Sequence, residues 1–211
     1  TETYKRLFYF NSVINNVMDA TDGTEIKKKS VRAEALLGRA LEHLLLVNTY
    51  ARHYDAATAA TDPGIPLSLE ADINAKHQRN TVKEVYDQVL ADLEEAIISL
   101  PAQSKFTKFR ANKAGGYALL SRVHLYRGEY DKALDYANQT LELQDGLVDM
   151  NTYGVTSPGP FPYVPGSPVG WTNVPDGQYH PESIVSRHFL RPFGLGQDVC
   201  ASPELSALFD N

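Results

Sequence analysis

The chain has 211 residues, 43% hydrophobic and 22% charged, and a formal net charge of −6 at pH 7. That length and apolar content can bury a core without covalent staples, and the acidic balance argues against a general affinity for nucleic acid. A single cysteine, Cys200, excludes an internal disulfide and any multi-cysteine metal site. Its surroundings, GQDVCASPE, supply no nearby histidine, so it reads as a small buried thiol rather than a nucleophile.

The opening TETYKRLFYF reads as a helix start rather than a signal peptide. Leu7, Phe10, Ile14 and Val17 form a first helical stripe, closed near Asp22-Gly23. A second helix is predicted from about Ile26 to Tyr50. Its Leu36, Leu37, Ala40, Leu41, Leu44, Leu45 and Val47 are apolar over more than one face, which predicts a central position. Lys27-Lys28-Lys29 reads as a solvated helix start. About thirty residues then intervene, long for a bundle connection, with an ordered turn expected at Asp62 to Leu67. The third helix carries Val82, Val85, Tyr86, Val89, Leu90, Leu93, Ala96, Ile97 and Leu100. Thr81 and Glu84 make a capping box at its start, and Pro101 marks its end.

The fourth and fifth helices fold onto each other around Gly128, which supplies positive φ where the fourth must close. The pattern puts Tyr117, Leu120, Ser121, His124 and Leu125 on one face, and Tyr130, Ala133, Leu134, Ala137 and Leu141 on the other helix's face. Beyond Asp145 the chain turns rich in proline, glycine, serine and aromatics, and helical periodicity stops. Two regions follow: residues 1–144, helical, and residues 145–211, an irregular aromatic and proline-rich continuation of the same domain. No apolar run approaches the ~20 residues that would span a bilayer.

Leu120-Ser121, Gly128-x-Tyr130 and Ala133 stand at the spacings of a tetratricopeptide (TPR) unit, which the hairpin resembles. The wider order is more specific. Glu34 and Arg39 in the second helix, Gly64 to Leu67, the Arg79 to Tyr86 helix start and Ala118 to Tyr126 follow one another as in the SusD/RagB family, which the stretch from about Arg32 to Leu143 resembles. The segments PESIVSRHF and SPELSALFD resemble that family's strand and turn after the helices. The resemblance implies an all-α fold of TPR-like helical hairpins, a SusD-like α-helical domain, with a long irregular aromatic and proline-rich excursion. It implies a surface-exposed lipoprotein of the Bacteroidetes outer membrane that binds oligosaccharide or polysaccharide without catalysis and without a cofactor. It further implies delivery to a partner TonB-dependent, SusC-like transporter, with membrane association through a lipid anchor outside this sequence. Family members are longer, so an internal portion or a short member is expected.

The binding chemistry is sought in the excursion. Tyr153, Phe161, Tyr163, Trp171, Tyr179, Phe189 and Phe193 lie among Pro158, Pro160, Pro162, Pro165, Pro168 and Pro175. A pyranose ring presents an apolar C–H face that an aromatic ring can cover, while polar side chains answer its hydroxyls. Prolines lower the ordering entropy of such a loop. Trp171, Tyr163, Tyr153 and Tyr179 are the candidate ligand contacts there; the alternative is that these rings pin the loop to the helices. His53 and Tyr54, with Tyr50, form a second candidate platform at the start of the long connection, with helix-end packing as its alternative. No HExxH or other metal spacing joins the histidines, and no catalytic residue is assigned. Two other function classes stay open. A TPR adaptor would grip a peptide in a concave face, and a glycan-active enzyme would need two carboxylates ~5–10 Å apart across a cleft.

Overall fold

Helix boundaries follow from local chemistry. Helix α1 spans Glu2–Asn16, followed by a 3-10 turn at Val17–Asp19 and a reversal at Gly23. Thr24 caps α2, Glu25–Tyr50, by accepting the Lys27 N–H, which answers one of the donors a helix start leaves open. After the long connection, two short strands, β1 (Pro63–Pro66) and β2 (Arg79–Thr81), lead into α3 (Val82–Ser99). The expected capping box is present: Thr81 accepts from the Glu84 N–H at 3.2 Å, and the Glu84 carboxylate accepts from the Thr81 N–H at 2.8 Å. Asn112 caps α4 (Lys113–Tyr126), and α5 spans Tyr130–Leu143. Two two-residue strands, β3 (Gly154–Val155) and β4 (Trp171–Thr172), pair antiparallel. This structure, a computed structural model, describes residues 2–72, 74–75, 78–102, 110–147, 154–155, 171–172 and 184.

Among the described residues the fold is all-α in character, with five α-helices. Helix α2 packs against both α1 and α3, α4 packs on α3, and α5 packs on α4. The core is continuous through Leu7, Leu36, Leu44, Val47, Val85, Tyr86, Val89, Leu93, Leu120 and Val123. The central position expected of α2 is what places Arg39, Glu42 and His43 in the interior beside its leucines.

The hairpin closes as its sequence predicts at the turn and differs on one face. Gly128 has φ +74°, and Glu129 donates its N–H to the His124 carbonyl at 2.9 Å. Small residues bring the helices close enough for Ser121 Oγ to donate to the Ala133 carbonyl at 2.7 Å. The buried line of α5 is Ala133 and Thr140, with Tyr136 half-buried beside them. Tyr130, Leu134 and Leu141, expected to share the packed face, are exposed, as is Leu125 of α4. At ~3.6 residues per turn these three lie roughly a quarter-turn round the helix from Thr140 and more than a third of a turn from Tyr136. Close backbone approach favours the small side chains, so the large ones are turned outward.

The long connection is packed down rather than looped out. Asp62 accepts from Thr58 Oγ1 at 2.6 Å, and the Val82 and Lys83 N–H groups donate to the Asp62 and Ala59 carbonyls at 2.9 Å each. The strand β1 then lies against β2, Pro63 opposite Thr81 and Pro66 opposite Arg79. Gly64 is required there, because a Cβ would sit 2.8 Å from the Thr81 carbonyl carbon and oxygen. Arg79 donates to the Gly64 carbonyl at 2.5 Å and to the Tyr50 carbonyl at 3.2 Å, tying the strand to the end of α2.

A charged network runs through the interior. Arg39 forms a two-pronged bond to Asp92 (2.8 and 2.7 Å) and donates to Asn11 Oδ1 at 3.1 Å and to the Leu69 carbonyl at 3.4 Å. Asn11 in turn donates to the carbonyls of Ser68 (2.9 Å) and Glu70 (3.1 Å). Nearby, Arg6 holds the fully buried Glu42 carboxylate at 2.9 and 3.0 Å. His43 is enclosed beside them, accepting the Ser68 N–H at 3.4 Å. Its Nδ1 is the one buried side-chain polar atom without a hydrogen-bond partner among the described residues. Burial, and then the Arg39 charge, lower its pKa to about 4, against a smaller opposing pull from Glu42.

Two predictions follow from this interior. Removing one partner of the pair strands the other's charge, so Asp92→Ala should cost about 3–5 kcal/mol in denaturant unfolding. The paired change Arg39→Leu with Asp92→Leu should cost markedly less than twice that. Because the folded-state pKa of His43 lies below its unfolded value of 6.5, the unfolded chain binds the extra proton. Stability should therefore fall by roughly 3 kcal/mol as pH drops from about 6.5 to about 4. Thermal melts across that window check this, and His43→Gln should flatten the decline.

Candidate functional site

The chain leaves α2 at Ala51 in extended conformation and turns towards the α4–α5 hairpin. Tyr54 is half-buried there. Its ring meets that of Tyr86 at 5.0 Å with the planes 56° apart, and the Arg127 guanidinium carbon lies 5.0 Å from its centroid. That is cation–π geometry. His53 is exposed, with its ring edge-on to Tyr126 at 6.4 Å. Of the second candidate platform, His53 and Tyr54 sit side by side but play different parts: Tyr54 joins the packing between α3 and the hairpin turn, and His53 faces solvent, while Tyr50 is exposed and lines a hollow with Pro66 and Arg79 instead.

The surroundings of Tyr54 are strongly polar. Arg127 is anchored by Glu129 at 2.8 Å and Asp87 at 3.3 Å. Glu129 also takes bonds from His124 Nδ1 at 2.8 Å and Lys132 at 3.1 Å. Burial on its own would raise the Glu129 carboxyl, but the bonds from Lys132 and His124 and the Arg127 charge and bond bring it down to about 2. The His124 ring lies nearly parallel to Tyr136 (5.4 Å, 8°) and Tyr136 stacks on Tyr117 (6.1 Å, 24°). Tyr86 donates to Asn48 Oδ1 at 2.8 Å, and burial, with a smaller contribution from Tyr126, pushes its phenol up to about 12, so it remains a donor. The cluster can present ring faces and charge-assisted hydrogen bonds. Its two carboxylates nearest the rings, Asp87 and Glu129, are both engaged by Arg127.

Of the excursion, Trp171 is placed by backbone alone: it lies in β4 opposite Val155, with Thr172 opposite Gly154. Ile184 lies beside the start of α4, its carbonyl accepting a bond from Asn112 Nδ2 at 3.3 Å. Tyr153, Tyr163 and Tyr179 lie outside the described residues, as do Phe161, Phe189, Phe193 and Cys200. Sequence reasoning missed Tyr86, Asp87, Arg127 and Glu129 as neighbours of Tyr54. Arg127 and Glu129 flank the glycine of the turn, and that adjacency was the one available signal. Among the described residues no group of three histidine, cysteine, aspartate or glutamate side chains is placed to hold a metal ion, and no helix is long and apolar enough to cross a membrane.

Comparison with known proteins adds a family to this geometry. A SusD-superfamily protein of Bacteroides thetaiotaomicron is 27% identical with a TM-score of 0.61, over 66% of this chain and 30% of that one. A structure described as a putative sugar binding protein of Bacteroides vulgatus is 28% identical with a TM-score of 0.61, over 67% of this chain and 32% of that one. A laminarin binding SusD-like protein, 24% identical over 73% of this chain and 31% of that one, shares the fold with a TM-score of 0.57. The chain thus corresponds to about a third of the length of these structures. No curated protein matches it. Residues 1–125, more than half of the sequence, match the SusD-like family model described as starch-binding and associating with the outer membrane. By that match the chain belongs to the SusD-like family.

Proposed function

We propose that the protein binds oligosaccharide or polysaccharide non-covalently at the outer membrane, at the cell surface, and delivers it to a partner TonB-dependent transporter. The observation that carries this is the family match over residues 1–125, whose description is starch-binding and outer-membrane associated. It is supported by similar structures described as sugar binding and laminarin binding. The activity is capture without catalysis. Anchoring would come from a lipid on the full-length protein rather than from a membrane-crossing helix of this chain.

Trp171 is the proposed principal ring, with Tyr153, Tyr163 and Tyr179 as further candidates from the same stretch of sequence, because flat aromatic faces suit the apolar face of a sugar ring. His53 and Tyr54 form the helix-side part. The exposed His53 ring can meet a ligand directly, whereas Tyr54 would contribute through its rim and through Arg127, whose guanidinium it helps hold. The outward line of Tyr130, Leu134 and Leu141 on α5 supports a protein contact on the hairpin side, as a transporter partner requires.

Calorimetric titration against soluble polysaccharides tests the binding claim. The wild-type chain should bind at least one member of a panel including starch and laminarin, and Trp171→Ala should weaken that binding by about fivefold or more. Unchanged affinity in the variant would remove Trp171 from the site. Release of reducing sugar during the same incubations would overturn the non-catalytic assignment.

A further inference from the structure

A second aromatic surface lies along α1. Tyr4, Phe8 and Tyr9 run along α1 and, with Ser68, Glu70 and Asp72 opposite, enclose a hollow of about 510 Å³. Beyond Tyr4 it leads to another hollow, of about 610 Å³, lined by Tyr50, Pro66 and Arg79. Tyr4 borders both, so the two read as one furrow crossing the end of α2. Tyr9 is 57% exposed and Tyr50 is 65% exposed. The Phe8 and Tyr9 rings stand edge to face at 6.0 Å and 73°.

The walls of this furrow are fixed in advance. Tyr4 donates its hydroxyl to the Pro66 carbonyl at 3.1 Å, which fastens the ring that both hollows share. The opposite wall hangs on Asn11, which is fully buried and donates to the Ser68 and Glu70 carbonyls. Asn11 is itself held by Arg39. Asp72 accepts the Asn74 N–H at 2.8 Å, which sets its carboxylate while leaving lone pairs free. Ordering that is already met in the free protein need not be met on binding.

We propose that this furrow is a second saccharide-binding surface, separate from the loop that carries Trp171. It rests on the glycan-binding reading and goes beyond it by adding a site. Tyr4 and Phe8 are four residues apart, a rise of ~6 Å along the helix, so successive rings can meet successive sugar units. The rings cover the apolar C–H faces, the Glu70 and Asp72 carboxylates accept from hydroxyls, and Lys5 beside them donates. In the hollow beside Phe8 and Tyr9 two carboxylates stand against the one ammonium of Lys5, while Arg79, in the other hollow, already donates to the Gly64 and Tyr50 carbonyls, and this balance selects a neutral glycan over a uronic or sulfated one. An aliphatic peptide helix would want a dry groove without that acidic wall.

Titration of the full chain with maltoheptaose, laminarihexaose and an oligogalacturonate tests this, using Tyr9→Ala with Tyr50→Ala, two exposed substitutions that should leave the melting temperature unchanged. The expected result is a loss of about fivefold or more for a neutral probe in that variant, with a remaining component that Trp171→Ala removes, and no binding of the oligogalacturonate. Wild-type affinity for every probe in the Tyr9/Tyr50 variant, with loss confined to Trp171→Ala, overturns the furrow and leaves the loop site standing. The reverse pattern removes the loop site and keeps the furrow. Preference for the acidic probe overturns the neutral-glycan assignment. A wild-type dimer that the Tyr9/Tyr50 variant turns into a monomer, without change in titration, assigns the furrow to a second copy instead. Absence of binding by any probe to the wild type overturns the glycan reading and the furrow together.

Discussion

The pairing of Arg39 with Asp92 is the constraint on which the rest of the structure depends. Their side chains are 8% and 2% exposed, so neither charge can be left to water. A guanidinium offers five donors in a planar fork, and here the fork is shared among α1, α2, α3 and the connection after β1. Asp92 is further satisfied by Gln88 at 2.8 Å. A buried pair of this kind adds little net stability over a well-packed apolar pair, but it is severe about geometry, because any misplacement strands a charge. The register of three helices is therefore set at one point. Through Asn11 the same network fixes a segment with no regular structure of its own, at Ser68 and Glu70.

That arrangement explains how the described residues of a connection of about thirty residues are held in place without forming an extra helix. Its backbone groups are met by side chains that reach in from the helices, Tyr4 and Asn11 from α1 and Arg79 from the start of α3's strand. A long segment pinned at intervals keeps a surface path without the entropy of a free loop. One side of that path carries His53 and Tyr54 towards the hairpin, and the other carries Glu70 and Asp72 towards α1. Helices supply rigidity and the connection supplies the exposed chemistry, a division common where binding residues ride on loops over a fixed scaffold.

The hairpin turn is a second, smaller fixed point. Glu129 gathers His124, Arg127 and Lys132 within one turn of the chain, and Arg127 carries that order outward to Asp87 of α3 and the ring of Tyr54. The polar groups here hold the end of α4 to α3, beside the buried Tyr86 and Val123. The exposed line of Tyr130, Leu134 and Leu141 on the outer side is then a free apolar face, not part of the hairpin's own packing.

Much of this was legible in the sequence because it depends on near neighbours. Thr81 with Glu84 and Gly128 between α4 and α5 act through bonds three to five residues long, so spacing alone specified that cap, the turn and the five helices. The order of those pieces carried the family resemblance. Spacing could not choose which line of α5 packs, since Ala137 adjoins both and the choice was made by how closely α4 approaches. Nor could it pair Arg39 with Asp92, 53 positions away, or bring Arg127 over Tyr54. The furrow of α1 was equally hidden: Tyr4, Phe8 and Tyr9 look like helix-surface rings until Asn11 draws residues 68–70 across to face them. The sequence by itself determined the helices, the Thr81 cap and the hairpin, because hydrogen bonds within a turn are local. Only the tertiary structure decided which rings and charges meet, because those contacts exist once the buried Arg39 has drawn distant segments to one point.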